Sequence, residues 1–398
     1  LLLPIASLKR NPPLMWNLSM TGNLRCFKLY RTHVILVLLV VIALCSCTTT
    51  NGDMEERMVA YDSITISIDY PYISDYVQVH PYERADTLFM LGYNHWTHSI
   101  DMIDVSTNLK HNSIRLEKEG NNGVYNINSL LGAQDFMVIM ELSGLKQVSF
   151  QGEVLNNVPL LDIRDSLQLS SYSLMNKGVV PGNFRSFAYN RQKNECYVPL
   201  TPLSDGSFEN FCIGAKVKLT DGSLSLLDCP YPAPYNKIND NVGSYFHAQF
   251  SVLDEERIIF NFYGNSHFWI YNQNTSEVVR KNMPSRFTEN ETAFPLSSGD
   301  IKNSFESEFT SLRFRTVHYV SSMDLFVRIH HAPKQDMLDK GNKHYLMLMS
   351  AKDDACVEYL LPSSFDGRYF VNGTCIYFLC RGSSDAEIRL GIIDLSKM

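Results

Sequence analysis

A motif that recurs six times constrains this chain most: a polar residue followed by a short apolar strand. The copies are Thr87-Leu-Phe-Met-Leu91, Asp135-Phe-Met-Val-Ile139, Glu195-Cys-Tyr-Val198, Arg257-Ile-Ile-Phe260, Asp324-Leu-Phe-Val327 and Thr374-Cys-Ile-Tyr377, with starts 48 to 67 residues apart. The first five copies are each followed by a hairpin pattern, at 99–104 with 109–116, 145–148 with 153–158, 215–219 with 223–228, 267–271 with 277–281, and 345–349 with 356–361. Polar turns such as Val105-Ser-Thr-Asn108 and Thr220-Asp-Gly222 join the arms, as antiparallel neighbours require. No segment keeps a helical period over three turns; 54–61 and 290–305 could hold one short helical turn at most. Repetition outranks local assignment, so the expected fold is all-β, a six-bladed β-propeller, with a pair of two-layer sandwiches as the alternative. Radial repetition leaves only short, protected strand edges.

The end of the chain bears on that choice. The last hairpin begins with Glu387-Ile-Arg-Leu-Gly-Ile-Ile393 and lacks an outer strand, because only five residues follow. Ser63-Ile-Thr-Ile-Ser-Ile-Asp69 has the length and alternation of that missing strand. It is predicted to pair beside 388–393 and close the ring.

Upstream of the β pattern, Arg25, Lys28 and Arg31 precede an apolar run of 11 residues, 34–44, which ends at Leu44-Cys45-Ser46-Cys47. A helix needs about 20 residues to cross a bilayer. A cationic start, a short apolar run and a small residue before the cleavage point describe a secretory signal, here with a lipobox. Cys47 is therefore the expected lipidated residue; bulky Leu44 makes Cys45 a poorer site. The expected organisation is 1–46 as an over-extended start plus signal peptide, with Met15 or Met20 as initiator. A polar tether follows at 47–57, then a single propeller domain at 58–398. The address is the cell envelope, as an outer-membrane lipoprotein with its side open.

Residues 1–46 hold five basic residues and no acidic ones, so removing them takes the formal charge from −7 to −12. Such a body lacks the basic footprint of nucleic-acid binding. The membrane contact expected is the lipid alone.

Six cysteines follow Cys47: Cys196, Cys212, Cys229, Cys356, Cys375 and Cys380, with no CxxC pair. An envelope compartment permits disulfides, yet a core of this size does not need them. Buried free thiols are the expectation.

The lipobox, the tether and the degenerate repeats resemble a group of Bacteroidetes envelope lipoproteins with TolB-like six-bladed propellers, including the domain-of-unknown-function family 4221. The stretches that carry the resemblance are Ile100-Asp-Met-Ile-Asp104 with Ile114-Arg-Leu-Glu-Lys-Glu-Gly120, and Phe187-Ala-Tyr-Asn190 before Glu195-Cys-Tyr-Val198. The likeness spans most of 60–398. It implies a fold and a location, and it supplies no catalytic residues.

No Asp box, Gly-x-Ser-x-Gly elbow, HExxH, EF-hand loop or P-loop occurs. His95 and His98 flank Trp96, and His330 and His331 end a strand; adjacent strand residues point oppositely, so no metal or other cofactor is expected. Asp104, Asp162, Asp228 and Asp394 each follow two apolar residues, a position where Asp caps a turn through nearby backbone N–H groups. Paired carboxylates would be needed for glycoside hydrolysis.

Binding is easier to argue. Long loops carry His95, Trp96, Tyr231, Tyr235, Tyr263, Asn265 and His331, and aromatic faces beside amides suit sugar rings or peptide. The functional expectation is a lipid-anchored binding or scaffolding module, with an envelope protein, a glycan or a peptide as partner. The alternative is a glycan-active hydrolase or lyase on the same long-loop face.

Overall fold

The computed structural model describes residues 56–67, 76–125, 127–141, 144–159, 172–173, 187–202, 208–233, 235–237, 248–291, 313–333, 343–380 and 387–398. Cys47, Asp69, Asp162 and most of the long loops at 159–182, 282–308 and 331–343 lie outside them. Contacts separate Leu1–Glu55 from Glu56–Met398, and the second unit is the β domain.

Its strands form six antiparallel blades. Blade I is Tyr76–Arg84, Thr87–Asn94, Ser99–Asp104 and Leu109–Arg115. Blade II is Ser129–Gly132, Phe136–Met140, Gly144–Ser149 and Val154–Pro159. Blade III is Ala188–Asn190, Glu195–Pro199, Gly214–Lys218 and Leu224–Leu226. Blade IV is Gln249–Val252, Arg257–Asn261, His267–Asn272 and Val278–Asn282. In blade V the first strand is split into Arg313–Phe314 and His318–Val320, both paired with Leu325–His331, before His344–Ser350 and Cys356–Leu360. All six repeated motifs form second strands, and all five hairpins are third and fourth strands.

Blade VI is assembled from both ends of the domain. Phe365–Asn372, Cys375–Cys380 and Glu387–Asp394 are joined on the outside by Asp62–Ser67. The register runs Asp62↔Ile392 through Ile66↔Ile388 to Ser67↔Glu387. The ring closes where the orphan strand was expected to close it.

Apolar side chains are divided among the seams rather than gathered in one centre. Six buried clusters occur among the described residues, one at each junction between neighbouring blades. At the closing seam Ile66, Ile388 and Leu390 of blade VI meet Tyr76, Met90 and Ile103 of blade I. A strand buried on both faces reads as a continuous apolar run, which is why the second strands stood out.

Strand glycines make room for rings. A Cβ on Gly391 would come within 2.2 Å of Phe378, its cross-strand partner, and one on Gly92 within 2.7 Å of the Tyr76 ring. Gly391→Ala is expected to destabilise the domain by about 1–3 kcal/mol, read as a lower urea midpoint with unchanged slope. An unchanged midpoint would show that Phe378 can move aside.

The described residues before the closing strand, 56–61, are extended, without a helical turn; the rest of the turn allowed for 54–61 lies outside the described residues. Met58 bridges to Leu360, Leu360 N–H donates to Arg57 O at 2.8 Å, and Val59 N–H donates to Leu360 O at 3.0 Å. The Glu56 carboxylate accepts from Lys343 Nζ at 2.7 Å and from Tyr345 OH at 2.8 Å. Glu56 and Arg57, at the end of the expected tether, are thus docked on blade V.

Turn capping accounts for two of the recurring aspartates. Asp104 Oδ1 accepts from Ser106 N–H at 2.8 Å and Thr107 N–H at 3.2 Å, and Asp394 Oδ1 accepts from Ser396 N–H at 3.0 Å. The Ser106 and Ser396 hydroxyls, which also donate to these carboxylates, hold them below the usual carboxylate range. Asp228 departs from the pattern: its Oδ2 accepts from Ser276 Oγ at 2.7 Å, in a turn of the next blade. The six cysteines after Cys47 are free thiols.

Candidate functional site

Two places in the ring can receive a ligand. The first is its axis. Segments of the innermost strands or their flanks from all six blades line a channel of about 300 Å³. Gln78 and His80 come from blade I, Ser129 from II, Ser251 from IV, Arg315, Thr316 and His318 from V, and Tyr369 from VI. Much of this polarity is spent within the protein. Gln78 Nε2 donates to Asn128 O, Thr316 Oγ1 to Gln249 Oε1 at 3.0 Å, and Ser251 Oγ to Val317 O at 2.5 Å. Arg315 donates to Gly367 O, with its guanidinium 5.9 Å from the Tyr369 ring centre.

His80 Nδ1 lies 2.8 Å from Pro81 O. A carbonyl can only accept, so Nδ1 carries the proton and Nε2 keeps its lone pair. Burial lowers the His80 pKa to about 4. Burial, with His80 nearby, does the same to His318, which meets Tyr369 edge-on at 6.0 Å. Both imidazoles are neutral at pH 7. Burial raises the Tyr369 hydroxyl to about 12. Among the described residues no carboxylate lines the channel, and no cluster of three or more His, Cys, Asp or Glu side chains could hold a metal ion.

The second place is one face of the ring. Successive strands of a blade run antiparallel, so the bends between second and third strands share an end with the links to the next blade. All seven loop residues singled out from the sequence lie at this end. His95 and Trp96 are in the middle bend of blade I, and Tyr263 and Asn265 in that of blade IV. Tyr231 and Tyr235 are in the link from blade III to IV, and His331 ends the second strand of blade V.

Only two of the seven reach solvent. Tyr231, Tyr235, Tyr263, Asn265 and His331 are buried. Tyr235 stacks on Phe262 at 4.0 Å and Tyr231 lies 5.9 Å from the same ring, so protein already covers their faces. The Asn265 carbonyl accepts from Arg328 Nη2 at 2.9 Å, and its side chain accepts from His267 N–H at 2.7 Å. Arg328 is fully buried, donates to the Arg315, Ser266 and Asn265 carbonyls and covers the Phe314 ring at 4.5 Å. His331 meets His344 edge-on at 5.7 Å. These residues fill the seams around blades IV and V. Position in a loop alone could not reveal that, because a link packed under its own bend is still a loop in sequence.

His95 and Trp96 are exposed, their rings 4.5 Å apart. The bend that carries them is tied down. Asn94 Oδ1 accepts from Trp96 N–H at 3.0 Å and Thr97 N–H at 3.3 Å. His98 is buried at positive φ, with Nδ1 3.0 Å from Tyr93 OH and Nε2 2.6 Å from Val124 O. That last bond joins the bend to the link between blades I and II. The next residue, Tyr125, is 69 % exposed, while Trp96 is 66 % exposed. Tyr125 N–H donates to Glu141 Oε1 at 2.7 Å, and Glu141 pairs with Lys146 at 2.7 Å. Two open aromatic side chains from separate segments therefore stand on one hydrogen-bonded frame. Tyr125 was missed in the sequence; its one available signal was an isolated aromatic two residues after the polar stretch 117–123.

Comparison with known proteins follows the fold. A crystal structure of a DUF4221 member from Bacteroides vulgatus matches with a TM-score of 0.67 at 14 % identity, covering 85 % of this chain and 98 % of that one. A Bacteroides fragilis protein named as exported matches with a TM-score of 0.52 at 9 % identity, covering 87 % and 96 %. At these identities the likeness shows the fold alone. No curated protein gives a significant match. The family model for the domain of unknown function DUF4221 matches residues 54–352; with the six closed blades, this places the chain in the DUF4221 family.

Proposed function

We propose that the protein is a binding module held at the cell envelope by a lipid on Cys47, and that it engages its partner through the face carrying Trp96 and Tyr125. One observation carries this reading: two aromatics about two-thirds exposed sit on bends that hydrogen bonds hold rigid. Large aromatics left in water on a fixed frame lose little conformational freedom on binding. The lipobox at 44–47 supports the address, and Glu56 docked on blade V would start the propeller nine residues after the lipidated cysteine.

Chemical oxidation of exposed aromatics on intact cells, followed by peptide mapping, tests the reading. Trp96 and Tyr125 are expected to be protected in the envelope and modified in the purified domain, with the exposed, readily oxidised Met398 as an internal reference. Equal modification in both settings would sink the proposal.

The axial channel favours a second reading. His80 and His318 as neutral bases, Tyr369 as an acid and Arg315 as a cation could serve a lyase acting on acidic sugars; a hydrolase would need two carboxylates, and the described lining holds none. Incubation with uronate polysaccharides is expected to release no unsaturated product. Turnover abolished by His80→Gln would establish the lyase in place of the binding module.

A further inference from the structure

We infer that the cleft between blades IV and V docks a lysine or arginine side chain of a partner protein. The cleft lies at the end of the ring opposite the middle bends, apart from both places described above, and its volume is about 450 Å³. Blade IV contributes Leu253, Ile270 and Val279 to its lining, and blade V contributes Phe326 and Ala351. Of these only Phe326 is buried, and Val279 is 40 % exposed. Apolar surface is therefore left open to water here, in company with Arg257, Glu277, Lys281 and Asp324.

The four charged groups are not equivalent. Asp254 Oδ2 accepts from Arg257 Nε at 2.7 Å, and Asp354 Oδ1 accepts from Lys281 Nζ at 2.8 Å. Both cations are thus neutralised within the protein. Asp324 has one oxygen committed, because Oδ1 accepts from Tyr319 OH at 2.7 Å. Among the described residues no cation pairs with Asp324 or with the exposed Glu277. The surroundings keep that sign. Over 253–257, 272–281, 319–326 and 350–357 the chain has seven carboxylates and four cations, and Arg286, which donates to Cys356 O at 2.9 Å, adds a fifth cation.

A lysine or arginine side chain matches both properties. Its aliphatic stem can lie on Ile270 and Val279 while its cationic head meets Asp324 and Glu277. An anionic group would meet like charge. The walls are already set: Gln273 N–H donates to Glu256 O and Ala351 N–H to Asp324 O, each at 3.0 Å, so little ordering is left for binding. The exposed polar bends 274–277 and 352–355 flank the cleft and form the kind of rim that a protein partner covers.

The test is a displayed library of random peptides panned on the purified protein, followed by calorimetry with the selected peptides. Selected sequences are expected to share a lysine or arginine, and their binding should weaken as salt rises. Asp324→Asn and Glu277→Gln should each weaken it about tenfold, the loss of one hydrogen bond to a charged group. Val279→Lys, which brings a competing cation, should abolish it, and Glu153→Gln on blade II should leave it unchanged. Thermal midpoints check that each variant folds; Glu277, Val279 and Glu153 are exposed, so the outcome does not depend on Asp324→Asn alone. Selected peptides without basic residues, binding indifferent to Glu277→Gln and Val279→Lys, or no binding would each overturn the inference. Peptide binding that depends on Trp96 and not on Glu277 would overturn it and leave the face proposed above standing. Displacement of the peptides by equimolar spermidine would assign the cleft to a free polyamine and overturn the protein partner.

Discussion

Ile66→Ala is expected to destabilise the domain by about 2–5 kcal/mol, out of a total of about 5–15 kcal/mol for a folded domain. Ile66 is fully buried in the seam between blades VI and I, on the only described strand that joins the two ends of the domain. Its methyl groups pack against both blades, so a cavity there weakens the closure itself. Thr65 is the control. It sits next door with its side chain exposed, and Thr65→Ala should shift stability by less than about 0.5 kcal/mol. Removing residues through Ser67 goes further, leaving the edge of Glu387–Asp394 unpaired and the seam open to water. Loss of cooperative unfolding is expected. Urea denaturation followed by tryptophan fluorescence and circular dichroism reads both effects. Should Ile66→Ala prove no worse than Thr65→Ala, blade VI does not depend on its borrowed strand.

Acid should weaken the domain well before carboxylates begin to protonate. Burial holds His80 and His318 neutral, with pKa values near 4 against 6.5 for a free imidazole, and it also lowers His330 and His331. The sign follows from proton linkage. Below 6.5 the unfolded chain takes up protons on these rings while the folded domain does not, so stability is full above 6.5 and falls as pH drops towards 4. His80 and His318, half-buried along the channel, lose their contribution across that window. Around them, Arg315 lines the same channel, Tyr369 stays neutral and no described carboxylate faces in. Glu358 bonds His330 at 2.5 Å and partly offsets the cost there. The capping carboxylates of Asp104 and Asp394 act in a separate window, because their pKa values lie below 3.8. Urea midpoints at pH 7.5, 6 and 5 should fall stepwise, and His318→Gln should flatten the slope. A midpoint constant over that range would mean that water reaches and solvates both rings in the folded domain.

The fold was more legible than the site, and the reasons are physical. Second strands such as Met137–Ile139 are covered on both faces by neighbouring blades, so they read as unbroken apolar runs. The innermost strands are less visible. His80-Pro81 and Arg315-Thr316 interrupt any alternation, because their side chains face a polar channel instead of a seam. The buried loop tyrosines show the same limit in reverse. Tyr235 and Trp96 both sit in loops; the first is stacked on Phe262 and the second stands in water.

The amino-acid order alone determined the number of blades, the motif that marks each second strand, and the partner of the orphan strand at 63–69. These follow from short-range alternation and from the requirement that no long edge be left unpaired. Only the tertiary structure decided which loop residues face solvent. It buried Tyr231, Tyr235 and Tyr263, brought Tyr125 to the frame of Trp96 through the His98–Val124 bond, and gathered His80 and His318 at the axis. Exposure of a loop side chain depends on segments distant in sequence, and local pattern carries no record of them.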